Sequence, residues 1–139
     1  MIRAVVDTNV YVAALLSRDG APARVVRALA DGLFDAIVCP QLLAELEGVL
    51  ARPRIARRMP PDVAHGYLEW LTRVAIPEPD PVDVARRSSD PHDGYLLALT
   101  VSSRSQVLVS GDAHLLNLGS TEPRVVTPAA FAAVVEGLR

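Results

Sequence analysis

A chain of 139 residues, half of them apolar but with only two Phe and one Trp, is long enough for one hydrophobic core built from Val, Leu and Ala. Its single cysteine, Cys39, excludes an internal disulfide and any multi-cysteine zinc site, and reads as a small buried residue in a reducing compartment. All 14 basic residues are Arg, which excludes chemistry that needs a lysine amine, and a net charge of −2 gives no global sign of a polyanionic partner.

The β-branched run Ile2 to Val6 reads as a strand ending in Asp7, and a second apolar run, Val10 to Leu16, begins straight after Asp7-Thr8-Asn9. That pattern delivers a carboxylate to a strand-to-helix turn, where ligands gather in parallel α/β sheets; Asp7 is read equally well as a helix cap. Asp7 also interrupts the apolar core that a signal peptide would need, and no later segment approaches the roughly eighteen apolar residues of a spanning helix. The expectation is a soluble, cytoplasmic protein without a membrane partner.

Arg18-Asp19-Gly20 separates the first helix from a second, Ala21 to Ala30, closed by Gly32. Phe34 to Cys39 reads as the second strand, with Pro40 opening the helix Gln41 to Arg52. Leu42, Leu43, Leu46, Val49 and Leu50 form its apolar stripe; Glu45 and Glu47 lie on opposite borders, and periodicity does not choose between them. Arg52, Arg54, Arg57 and Arg58 follow as a charged loop interrupted by Pro53, read either as solvated or as touching phosphate. A helix from Asp62 to about Thr72 carries Tyr67 and Trp70 at core spacing, and Arg73 to Pro77 reads as a short third strand. Pro77 to Pro81 is an extended loop within one domain, 1–139, because each proline restricts the residue before it.

Asp90 reads as the N-cap of a helix with Pro91 at its first position and Asp93 in its first turn, continuing through Tyr95, Leu96, Leu97 and Leu99 to Ser103. Val107 to Val109 is the fourth strand, ending in Ser110-Gly111-Asp112 and then a short helical turn. Val125-Val126 is a brief fifth strand before a last helix, Ala129 to Leu138. Strands alternate with helices, so the expected architecture is a parallel sheet covered on both faces.

Asp7 and Asp112 follow strands, and Glu45 and Asp93 lie on helices that follow strands, so all four can converge on one sheet edge. Clustered carboxylates repel one another unless a cation is present, and oxygen donors without a His or Cys group suit Mg²⁺ or Mn²⁺. Such an ion leaves water and phosphate oxygens as its other ligands, which points to phosphoester chemistry. His65, His92 and His114 read as surface or partly packed histidines.

Asp7-Thr8-Asn9-Val10, Leu42-Leu43-Ala44-Glu45-Leu46, Asp90-Pro91-His92-Asp93 and Ser110-Gly111-Asp112 with Leu115-Leu116 together resemble the four acidic blocks of the PIN-domain family, in its VapC-like branch of toxin components. The resemblance implies a three-layer α/β/α fold with a five-stranded parallel sheet and an Mg²⁺- or Mn²⁺-dependent endoribonuclease. It implies Asp7, Glu45, Asp93 and Asp112 as metal ligands, and selects Glu45 over Glu47. Asn9 and Ser110 are the supporting polar groups, with Asp90 beside them, and Arg52, Arg54, Arg57 and Arg58 are the candidate RNA contacts. His114 and Gly94 depart from the pattern, standing where a further acid and a polar residue are common. The expected partners are RNA, a small antitoxin and a second copy of the chain. The alternatives are a non-catalytic RNA-binding or protein-interaction module on the same fold and, more weakly, a phosphomonoesterase, which would require a second Asp at the place of Asn9.

Overall fold

The computed structural model describes residues 1–82, 91–118 and 123–139. Five short strands form one all-parallel sheet: β1 (Arg3–Val6), β2 (Asp35–Val38), β3 (Ile76–Pro77), β4 (Val107–Val109) and β5 (Arg124–Val126), in the order β3-β2-β1-β4-β5. Parallel neighbours need crossovers, and helices supply them: α1 (Thr8–Leu16), α2 (Ala21–Ala30), α3 (Pro40–Leu50), α4 (Pro53–Ala56), α5 (Pro61–Val74), α6 (Pro91–Ser102) and α7 (Ala113–Leu116), with α8 (Pro128–Glu136) closing the chain. Helices α1, α2 and α8 pack in succession, α1 also meets α3, α3 meets α5, and α6 lies on β1 and β4. This is the expected three-layer α/β/α arrangement.

The central strands are continuous apolar runs because both faces are covered: Val5, Val6, Ala36, Ile37, Leu108 and Val109 are all buried. Registers Val5↔Ile37 and Val5↔Leu108 align the strands so that their carboxyl ends share one edge. The chain winds from β1 outward to β2 and β3, then returns to place β4 on the other side of β1. The direction of winding therefore reverses between β1 and β4, and a crevice at such a reversal is where open α/β sheets hold ligands.

Several boundaries differ from expectation. The third strand is only Ile76–Pro77, because Arg73 and Val74 remain in the last turn of α5, which ends where Ala75 turns extended. The helix expected to run to Arg52 ends at Leu50, and the expected arginine loop is partly helical: Pro53 takes the first position of α4, where its fixed φ suits a helix start. Asp90, expected as a cap, lies outside the described residues. Cys39 is buried as expected, and burial, ahead of nearby Asp80, pushes its thiol up to about 11. Tyr67 and Trp70 stack on each other at 5.9 Å, with the Tyr67 hydroxyl donating to the Tyr11 carbonyl, so they serve packing. Among the described residues, no helix is long and apolar enough to cross a membrane.

Candidate active site

Asp7 stands at the carboxyl end of β1, and its N–H continues the ladder by donating to the Val109 carbonyl at 2.9 Å. It occupies the N-cap position of α1 in an extended conformation, yet its side chain makes no capping hydrogen bond. The carboxylate turns inward instead and is 1% exposed. Ser110, the first residue beyond β4, donates its hydroxyl to Asp7 Oδ2 at 2.8 Å, across the crevice where the winding reverses.

Glu45 arrives from the second turn of α3. Its Oε1 accepts from Thr8 Oγ1 at 2.7 Å and its Oε2 from the Tyr95 hydroxyl at 3.1 Å. Burial, followed by the negative charge of Glu45, holds the Tyr95 hydroxyl far above its ordinary pKa, so it remains a proton donor at any working pH. Glu47 is exposed on another face of α3. Asp93, in the first turn of α6, is also buried, and its Oδ2 lies 3.2 Å from His114 Nε2. Asp112 is half-buried and accepts from the His114 backbone N–H at 2.9 Å, so it is the N-cap of α7. The Asp112 N–H in turn donates to Ser110 Oγ at 3.0 Å.

The structure thus brings Asp7, Glu45, Asp93 and Asp112 to one edge, where Thr8, Ser110, Tyr95 and His114 contact them directly. Sequence reasoning did not single out Thr8, Tyr95 or His114 for these contacts. The visible signal was a hydroxyl next to the strand-end acid and another inside an aliphatic helix row; His114 carried none, being an exposed imidazole that reaches back to a buried acid.

A cleft of about 430 Å³ opens beside Asp7, Thr8 and Glu45, between α1 and α3, and Asn9 and Arg52 also line it. Arg54, Arg57 and Arg58 are exposed and do not contribute to its wall; Arg57 donates to the Pro53 carbonyl of its own helix. Of the four arginines, Arg52 is the one that lines the same cleft as Asp7 and Glu45.

The donor set is carboxylate and hydroxyl oxygen, which suits a hard divalent cation. Among the described residues no three Asp, Glu, His or Cys groups stand together as a ready-made ligand cage. That arrangement still fits Mg²⁺, which keeps several of its waters and needs only one or two direct carboxylates. The residues therefore fit an open, water-completed site and not a closed one.

This fold and site define a PIN-type α/β protein. Residues 3–114 match the PIN domain, and the chain belongs to that family, whose members are generally nucleases that bind RNA and use divalent metal ions. The crystal structure of PAE2754 from Pyrobaculum aerophilum is similar in fold, with a TM-score of 0.71 at 16% identity over 98% of this chain and 96% of that one. No curated protein matches the sequence.

Proposed function

We propose that residues 1–139 form one nuclease domain that hydrolyses RNA phosphodiester bonds with Mg²⁺ or Mn²⁺, acting as an endoribonuclease. The observation that carries the reading is Asp7. A residue at a helix N-cap whose side chain was structural would accept from the first backbone N–H groups, whereas this carboxylate is buried, aimed at the switch-point crevice and held there by Ser110.

Asp7, Glu45, Asp93 and Asp112 would hold the cation, directly or through water. When bound, it supplies activation of water and counter-charge for a phosphodiester. Thr8 and Tyr95 fix both oxygens of Glu45, so that its carboxylate does not rotate. Ser110 fixes Asp7, and Arg52 offers positive charge to the RNA backbone at the same cleft. The four acidic blocks also support a biological role as the toxin of a toxin-antitoxin pair, working in the cytoplasm as a homodimer and restrained by a small antitoxin protein.

One observation favours a second reading, a non-catalytic RNA-binding or protein-interaction module: Asp112 is engaged as a cap and Asp93 by His114. A cleavage assay on single-stranded RNA separates the two. We expect cutting with Mg²⁺ or Mn²⁺ and none in excess EDTA. RNA binding without turnover in either metal would establish the second reading, and undiminished cutting in EDTA would overturn metal dependence.

A further inference from the structure

The cleft beside the acids has a chemical gradient along its length. From α1 it is lined by Asn9, Val12, Ala13 and Leu16, and from α3 and its end by Glu45, Val49 and Arg52. Both rows follow helical spacing, so each is one helix face, and both helices start from the same sheet edge. The acids therefore mark one end and Arg52 the other, about 10 Å away along seven residues of roughly helical rise. Val12, Ala13, Leu16 and Val49 form aliphatic walls between them.

Two polar groups in this cleft are uncommitted. Among the described residues, neither the Asn9 carboxamide nor the Arg52 guanidinium makes a side-chain hydrogen bond or ion pair, and both are exposed. The volume, about 430 Å³, falls in the range of pockets that hold a small organic ligand. With a divalent cation on the carboxylates, a ligand that satisfies the whole cleft carries negative charge at both ends and a largely apolar body between them. A nucleoside flanked by its two phosphates has that chemistry.

We propose that the α1–α3 cleft is a nucleoside subsite for single-stranded RNA. The nucleoside adjoining the phosphodiester to be cut lies against Val12, Ala13, Leu16 and Val49, the Asn9 carboxamide meets the edge of its base, and Arg52 takes the phosphate on its far side. An unpaired base can enter such a cleft, whereas a base held in a duplex cannot, so the subsite selects single strands. Its walls are aliphatic, so the body of the base is gripped by shape, and base preference falls to Asn9, whose amide both donates and accepts. This inference rests on the nuclease reading and adds to it where the strand lies.

The test compares wild type with Ala13→Phe, which fills the cleft from a half-exposed position, Arg52→Ala, which removes the far cation from an exposed one, and Asn9→Ala. A fluorescein-labelled hexauridylate and a hexaadenylate are titrated with Ca²⁺ present to neutralise the carboxylates, their integrity being checked on a gel. Mn²⁺ binding is followed separately by loss of the free-ion electron paramagnetic signal. We expect Ala13→Phe and Arg52→Ala to bind both oligonucleotides at least tenfold more weakly, with Mn²⁺ binding unchanged. Arg52→Ala should also flatten the salt dependence by about 0.7, the slope of one phosphate contact on a single strand. Asn9→Ala should alter the ratio of the two affinities. Ala13→Phe that melts cooperatively and binds and cuts RNA like wild type overturns the subsite while leaving the nuclease reading intact, and should that variant fail to fold, an unaltered affinity and salt slope in Arg52→Ala does the same. Wild type that binds Mn²⁺ and cuts RNA yet gains nothing from either side chain places the strand elsewhere; wild type that does neither removes the nuclease reading itself.

Discussion

The β1–α1 and β4–α7 junctions share one local design and use it for different ends. In each, a short buried strand delivers an aspartate in extended conformation to a helix N-cap, Asp7 at φ −60° and ψ 144°, Asp112 at φ −75° and ψ 116°. Asp112 caps, accepting from the N–H two residues on. Asp7 does not, and its side chain crosses to Ser110. The difference follows from what each helix already has. Helix α1 spans nine residues and buries Val10, Tyr11 and Val12 in the core, so packing holds its first turn; α7 has four residues with Leu115 alone buried, and its start depends on a cap. A carboxylate that the helix does not need is available for other work, and burial at a strand end tells it apart from one that the helix does need.

The largest expected effect comes from breaking this asymmetry at Asp7. Asn caps as well as Asp, so a structural role predicts that Asp7→Asn melts and cuts RNA like wild type. A ligand role predicts cleavage lower by orders of magnitude, because a neutral amide is a poor ligand for a hard cation. It also predicts a melting temperature in EDTA equal to or above that of wild type, since one negative charge leaves a group of carboxylates. Melting in EDTA and in Mn²⁺, with cleavage by the same preparation, measures both halves. A variant that gains the wild-type stabilisation from Mn²⁺ and still cuts RNA ends the assignment of Asp7.

Ser110 is where the two junctions meet, donating to Asp7 and accepting from the Asp112 N–H, so its removal should blur them. Ser110→Ala leaves a buried carboxylate and a backbone N–H each short of a partner, a loss of about 1–3 kcal/mol in stability. Activity or metal affinity should fall by about 10- to 100-fold, as when a residue that orients a ligand is lost. Tyr95→Phe, which frees one oxygen of Glu45, should act in the same direction on Mn²⁺ affinity. Calorimetric titration of Mn²⁺ into each variant checks this; an affinity equal to wild type in both would show that the hydroxyls do not orient the acids.

Much of the fold was legible because it rests on local signals. Five strands fall near their expected places along the chain and pair in parallel, since β-branched runs bounded by Gly, Pro and polar residues mark buried strands, and alternation with helices forces parallel pairing. The misread stretch, Arg52 to Arg58, failed at Pro53: the same proline breaks a helix that arrives and starts one that departs. At the site, Asp7, Asp93 and Asp112 could be read as candidate acids from their places after strands, while Glu45 was chosen over Glu47 by the resemblance to the PIN-domain family and not by periodicity. Their partners could not, because Thr8 meets Glu45 across 37 residues and Tyr95 meets it across 50, and no periodicity spans such distances. The cap-or-ligand ambiguity was also beyond the sequence, since both roles require the same residue at the same position.

The smallest expected effect, and the one that sharpens the comparison most, concerns Asp112. It caps α7 through Oδ1, so Asp112→Ala should cost about 1 kcal/mol, while Asp112→Asn, which preserves a capping oxygen, should cost almost nothing. If capping is its entire contribution, Asp112→Asn will also bind Mn²⁺ and cut RNA as wild type does, and Asp112→Ala will lose activity only in proportion to its stability. If Asp112 is the fourth acid of the metal site as well, both substitutions remove the same charge and should weaken Mn²⁺ to a similar degree, while only Ala lowers the melting temperature in EDTA. Stability and metal affinity then separate: the Asn variant keeps the first and loses the second. Chemical denaturation in EDTA beside Mn²⁺ titration reads the two quantities independently, and an Asn variant that keeps both would reduce the site to Asp7, Glu45 and Asp93.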